Sequence, residues 1–178
     1  MGGTALLSEL RIANLALIGK QAIEFTDGLN VLTGETGAGK SVIVGSINLA
    51  LGMRASSDLI RTGADSAYVE ATFQIDCNSH AWRLVEELEL VGDNPGEVVL
   101  SREITRSGKN VCRVNGLRTT LAQLRQIGDL LVDLHGQHEH QSLLRRSVQR
   151  DLLDSFAGER AAALLEETPG DPFSLMAC

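Results

Sequence analysis

The chain has 178 residues, which suits one domain or part of a larger one, and its 43% hydrophobic and 22% charged residues support a buried core. Its net charge of -7 argues against a globally basic nucleic-acid binder, while leaving room for local basic patches. Three cysteines, far apart and without a CxxC spacing, argue against a disulfide framework or zinc ribbon and fit a reducing cytoplasm. No signal-peptide pattern opens the chain, and no run approaches the roughly 20 apolar residues of a membrane span. Aromatic residues are only 3%, so Leu, Val, Ile and Ala must carry most of the packing.

In chain order, Leu6 to Leu17 reads as strand material and Ala22 to Phe25 as a short second strand. Asp27-Gly28 is a turn signal, and Leu29 to Thr33 is expected to form a compact strand running into a glycine-rich loop. Beyond Gly39, Val42, Ile43, Ile47, Leu49 and Leu51 recur at helical spacing, with Gly52 as the terminator. Tyr68 to Ile75 alternates. Val69, Ala71, Phe73 and Ile75 share one face and polar residues the other, which suits a half-buried antiparallel strand. Trp82 to Leu90 reads as a helix, broken by Asn94-Pro95-Gly96. Val98 to Thr105 and Val111 to Val114 form a hairpin about Ser107-Gly108-Lys109-Asn110. Thr120 and Gln123 have capping-box spacing for a short helix. Leu130 to Leu134 reads as a short apolar strand, and Val148 to Glu167 as a helix. Pro169, Gly170 and Pro172 stop that helix with no core element behind it, which reads as a truncated or altered tail.

The chemistry concentrates in Gly34-Glu35-Thr36-Gly37-Ala38-Gly39-Lys40-Ser41, a full match to G-x-x-x-x-G-K-[ST]. Glycines let successive backbone N–H groups curl around phosphate oxygens, and the following helix adds its positive N-terminal end. Lys40 is positioned to reach the β- and γ-phosphates, and the Ser41 hydroxyl to ligate Mg²⁺. A guanine-reading NKxD motif is absent from the sequence, so ATP is the expected nucleotide. Hydrolysis also needs carboxylates for Mg²⁺ and for the attacking water. Asp133, after Leu130-Leu131-Val132, is the nearest candidate, but Leu134 and His135 follow it where a second carboxylate is wanted. A self-contained P-loop kinase or small NTPase using Asp133 is the alternative reading.

Several segments resemble the RecN family of bacterial DNA-repair ATPases, relatives of SMC proteins. They are Leu10 to Ile18, Phe25, Gly28 to Ser41, Ala50 to Arg54, Leu59 to Ala64, Val69 to Phe73, Arg113 to Gly116 and Leu134 to Gln141. The loop by itself is generic; its Gly-Glu-Thr-Gly-Ala-Gly-Lys-Ser form together with His-Gly-Gln-His-Glu-His-Gln is far more specific. The resemblance spans about residues 5 to 160. It implies an α/β fold of the P-loop NTPase class, specifically the N-terminal half of an ABC-ATPase head, with an antiparallel β subdomain and ending at the root of a coiled coil. Residues 1–147 would form this lobe, 148–167 the start of the coiled-coil helix and 168–178 an irregular tail. The missing C-terminal half-head would supply the signature motif and catalytic carboxylates. Paired heads would sandwich ATP in a homodimer, and DNA would be engaged by the full-length protein near the nucleoid. No LSGG-type signature and no apolar-Asp-Glu run occurs here, so efficient hydrolysis by this chain alone is not expected.

The same resemblance makes Gln137 the Gln-loop residue, contacting Mg²⁺ and the attacking water, with Gln141 next in register. His135, His138, Glu139 and His140 invite a metal reading, but His138 and His140 are two apart and no Cys is nearby, so packing or nucleotide-proximal roles are preferred. Related heads place an arginine near the nucleotide in this region, a place for Arg54 or Arg61, which read equally as surface arginines or as local ion pairs with Asp58 or Asp65. Arg102, Arg106, Lys109, Arg113 and Arg118 line the hairpin as a local basic patch, suited to a phosphate backbone or simply to solvent. Arg145, Arg146 and Arg150 form a second cluster.

Overall fold

The computed structural model describes residues 5–34 and 39–132, all within one compact unit, Met1–Asp133. Strands β1 (Leu6–Leu15) and β2 (Ile18–Glu24) pair as a hairpin. Helix α1 (Lys40–Ala50) and a 3₁₀ turn (Ser57–Leu59) lead to β3 (Ser66–Gln74). Helix α2 (His80–Glu87) precedes β4 (Glu97–Thr105), β5 (Asn110–Val114), β6 (Leu117–Thr119) and helix α3 (Leu121–Leu131). The strands make one six-stranded sheet in the order β2-β1-β3-β4-β5-β6, antiparallel at every pairing.

Alternation sorts the two faces of this sheet. Leu10 and Ile12 of β1, Val69, Ala71 and Phe73 of β3, Val98 and Leu100 of β4, and Val114 of β5 are buried together. Leu49 and Ala50 of α1, Trp82 and Val85 of α2, and Leu124 and Ile127 of α3 complete this core. The opposite face is polar: Arg11 bridges Glu9 at 2.8 Å and Glu70 at 3.4 Å, and the Tyr68 hydroxyl donates to Glu70 at 2.5 Å.

Local signals explain the element boundaries. Ser79 caps α2 by accepting from the Trp82 N–H at 3.2 Å, and the Trp82 indole donates to Glu86 one turn on, at 2.8 Å. Thr120 and Gln123 form the expected capping box of α3. The β5–β6 turn is Asn115-Gly116 with φ of 51 and 79, the pair of positive values a type I′ hairpin requires. The Asn115 side chain accepts from the Val99 N–H and donates to the Leu90 carbonyl, both at 2.8 Å, tying this turn to β4 and to the segment after α2. The Asn-Gly pair was the signal for β6 that the reading of the sequence missed.

Two expectations are corrected. Leu29 to Thr33 is not a strand, because no described segment lies beside it to pair its backbone; Leu29 is 90% and Val31 69% exposed. Leu130 and Leu131 belong to the end of α3, not to a strand, since Leu131 continues the buried stripe of Leu124, Ile127 and Gly128.

Candidate nucleotide-binding site

The N-terminus of α1 has neither a side-chain cap nor an acidic first turn. Its N-cap is Gly39, with φ of 97, a left-handed conformation that glycine adopts without strain. The Gly39 carbonyl accepts from the Val42 and Ile43 amides at 3.0 Å, while the first amides of the helix have no intrahelical acceptor. Lys40, in the first turn, folds its ammonium back onto the carbonyl of Gly34 at the other end of the loop. The two ends of the loop are thereby joined by a cation. Ser41 is exposed at the helix start, on the turn that would face a bound phosphate. Of the motif residues, Lys40 and Gly34 are thus brought together, with Gly39 and Ser41 on either side of Lys40 in the chain. Glu35, Thr36, Gly37 and Ala38, together with Asp133, the histidine-rich run, Gln137, Gln141 and the arginine cluster from Arg145, lie outside the described residues.

The other end of α1 carries its own set of bonds. Gly52, with φ of 89, is the left-handed C-terminal residue, its N–H bonding Leu49 and the Met53 N–H bonding Asn48. That pattern is a Schellman closure. Arg102 reaches in from β4. Its guanidinium donates to the Leu49 carbonyl at 3.2 Å, the Met53 carbonyl at 2.5 Å and the Asn110 side chain at 2.9 Å. Arg102 is only 1% exposed and, among the described residues, pairs with no carboxylate. Burial lowers its pKa from the ordinary arginine value, with the Cys112 thiol pulling the other way. Helix α3 crosses the same end, where a methyl at Gly128 would stand 2.7 Å from the Leu51 carbonyl.

The basic hairpin is therefore corrected in one member. Arg102 lies on the inward stripe Val98-Leu100-Arg102-Ile104 and is no part of a surface patch. Its place in that alternation was the signal. Arg106 is exposed, but its guanidinium binds the carbonyls of Ala64 at 2.7 Å and Arg61 at 3.1 Å. Lys109 and Arg118 are exposed, and Arg113 is half-buried. Arg61 donates to the Leu17 carbonyl at 2.6 Å, fastening the β1–β2 turn, whereas Arg54 stays exposed.

The antiparallel sheet with a glycine-loop helix on one face defines a P-loop nucleotide-binding domain of the ABC-ATPase head type. The chain belongs to the AAA domain family, whose sequence model matches residues 9–169. Within it, the chain carries the RecN likeness through most of its length. It is 45% identical over 162 residues to the DNA repair protein RecN of Halalkalibacterium halodurans, covering 91% of this chain and 28% of that protein. It is 43% identical to the RecN of Bacillus subtilis, covering 90% and 28%. The chain thus spans little more than a quarter of the length of these relatives. A solved structure reported under "ATP-driven dimerization and DNA stimulated activation of SMC ATPases" superposes with a TM-score of 0.57 at 26% identity, covering 84% of this chain and 98% of that one.

Proposed function

We propose that this chain binds ATP with Mg²⁺ at residues 34–41 and serves as the nucleotide-holding half of a RecN-like DNA-repair ATPase. The observation that carries the proposal is the uncapped, glycine-led start of α1 with Lys40 closed onto Gly34. An anion entering there meets free amides, the positive helix end and one ammonium together. Lys40 would leave the Gly34 carbonyl for the β- and γ-phosphates, and Ser41 would hold Mg²⁺. Bound Mg²⁺ supplies charge neutralisation at the phosphates, and Gln137 would orient the attacking water.

The likeness to RecN proteins supports recombinational repair of double-strand breaks as the setting, in the bacterial cytoplasm at the nucleoid, with ATP binding and hydrolysis controlling DNA engagement in the full-length protein. No helix among the described residues is long and apolar enough to cross a membrane. The largely apolar Leu29 to Thr33 segment, which has no strand partner among the described residues, supports a C-terminal half-head as partner, its strands completing the sheet. ATP-sandwiched pairing of two such heads is the assembly proposed. The all-antiparallel sheet disfavours a kinase, whose P-loop strand sits in a parallel sheet.

The test is ATP binding and steady-state hydrolysis by this chain and by Lys40→Ala. Binding that depends on Lys40, with negligible turnover in both proteins, is the expected result. Lys40-dependent turnover by the chain alone would overturn the half-head reading.

A further inference from the structure

We infer that Arg102 is a positioning residue for the phosphate loop, fixing the axial place of α1 from its far end. The inference rests on the nucleotide reading of the α1 N-terminus. Three observations carry it. First, the guanidinium is buried and its described partners are the carbonyls of Leu49 and Met53 and the amide oxygen of Asn110, all neutral. A buried cation held only by neutral acceptors is costly, and an apolar side chain of similar volume commonly gives an equal or more stable fold. Stability alone therefore does not account for an arginine here.

Second, the acceptors are specific. Leu49 and Met53 bracket the Schellman turn of α1, where the helix presents its negative end. Both carbonyls are met by the one Nη1 while Nε of the same plane reaches Asn110, a spread over three acceptors that a single ammonium nitrogen cannot reproduce. Its third bond, to Asn110, anchors it at the first residue of β5. The end of α1 is thereby referred to the β4–β5 pair of the sheet.

Third, α1 is the one element between this bridge and the loop. Its 11 residues make a rigid rod about 16 Å long. Sliding its C-terminal end along the axis moves Lys40 and Ser41 equally. Misplacing binding groups by about 1 Å is enough to cost one to two orders of magnitude in the interactions they make. No acidic side chain or cap fixes the N-terminal end in compensation.

The experiment compares the 178-residue chain with Arg102→Met and Arg102→Lys. Thermal unfolding would be followed by the fluorescence of Trp82, the single tryptophan, and Mg·ATP and adenosine affinities by calorimetry well below the unfolding midpoint. Phosphorus NMR of bound ATP reports the phosphate environment. The expected result is that Arg102→Met unfolds at or above the parent midpoint, yet binds Mg·ATP about tenfold more weakly, with shifted β- and γ-phosphate signals and little change in adenosine affinity. Arg102→Lys, which keeps the charge but not the fork, is expected to fall between them; it also carries the test should the Met variant not fold. Parent-like Mg·ATP affinity and phosphate signals in either folded variant would overturn the inference and leave the nucleotide reading standing. A parent chain that binds no Mg·ATP would overturn both.

Discussion

Tyr68 shows how a single side chain on the polar sheet face reports the fold. Burial first, and then its hydrogen bond to Glu70, push the phenol up from its ordinary value of 10.0 to about 12. Unfolding returns it to the ordinary value, so the folded chain holds the proton where the unfolded chain has lost it. The contribution is therefore fully present below pH 10 and is lost as pH rises toward 12. Tyr68 is the only tyrosine, so tyrosinate absorbance follows this one group. It is expected to titrate above a free tyrosine in the folded chain and near it in denaturant. Tyr68→Phe should flatten the alkaline slope of stability. At the same scale, the sequence pointed to Lys40 and Ser41 by motif, but not to the role of Arg102. A sequence shows that an arginine shares an alternating stripe; only packing shows that its acceptors are carbonyls of another element.

Between elements, the crossing of α1 and α3 depends on having no side chain where backbones meet. At Gly128 an added methyl would lie 2.7 Å from the Leu51 carbonyl, a backbone atom that cannot rotate aside. Gly128→Ala should destabilise the chain by about 1–3 kcal/mol despite the better helix propensity of alanine. Gly45, in the middle of α1, has nothing within 4 Å of the same methyl. Gly45→Ala should stabilise by about 0.5–1 kcal/mol, and urea unfolding of both variants checks the contrast. Loss of the capping box in Thr120→Ala should cost about 1 kcal/mol. The capping box, the hairpin at 107–110 and the alternation of β3 were all legible in the sequence, because each signal lies within a few residues. The crossing was not, since nothing local distinguishes Gly45 from Gly128.

For the whole molecule, the apolar Leu29 to Thr33 segment is the main unresolved demand. Leu29 and Val31 are exposed in the described unit although their composition is that of an inner strand. Supplying a polypeptide with the C-terminal half of a RecN-like head should protect the amides of Leu29 to Thr33 from hydrogen exchange and raise the unfolding temperature. Unchanged exchange there in a stable complex would refute sheet completion at this edge.

By itself the sequence determined the phosphate-loop motif, the position of its helix, the antiparallel hairpins and the family resemblance. These depend on residue type, spacing and period along one stretch of chain. Tertiary structure alone decided that Leu29 to Thr33 stays out of the sheet, that Arg102 turns inward and that Gly128 meets Leu51. Each of these depends on which backbone groups come to lie opposite one another. A strand exists only where another strand accepts its hydrogen bonds, and a buried charge only where acceptors converge from distant segments.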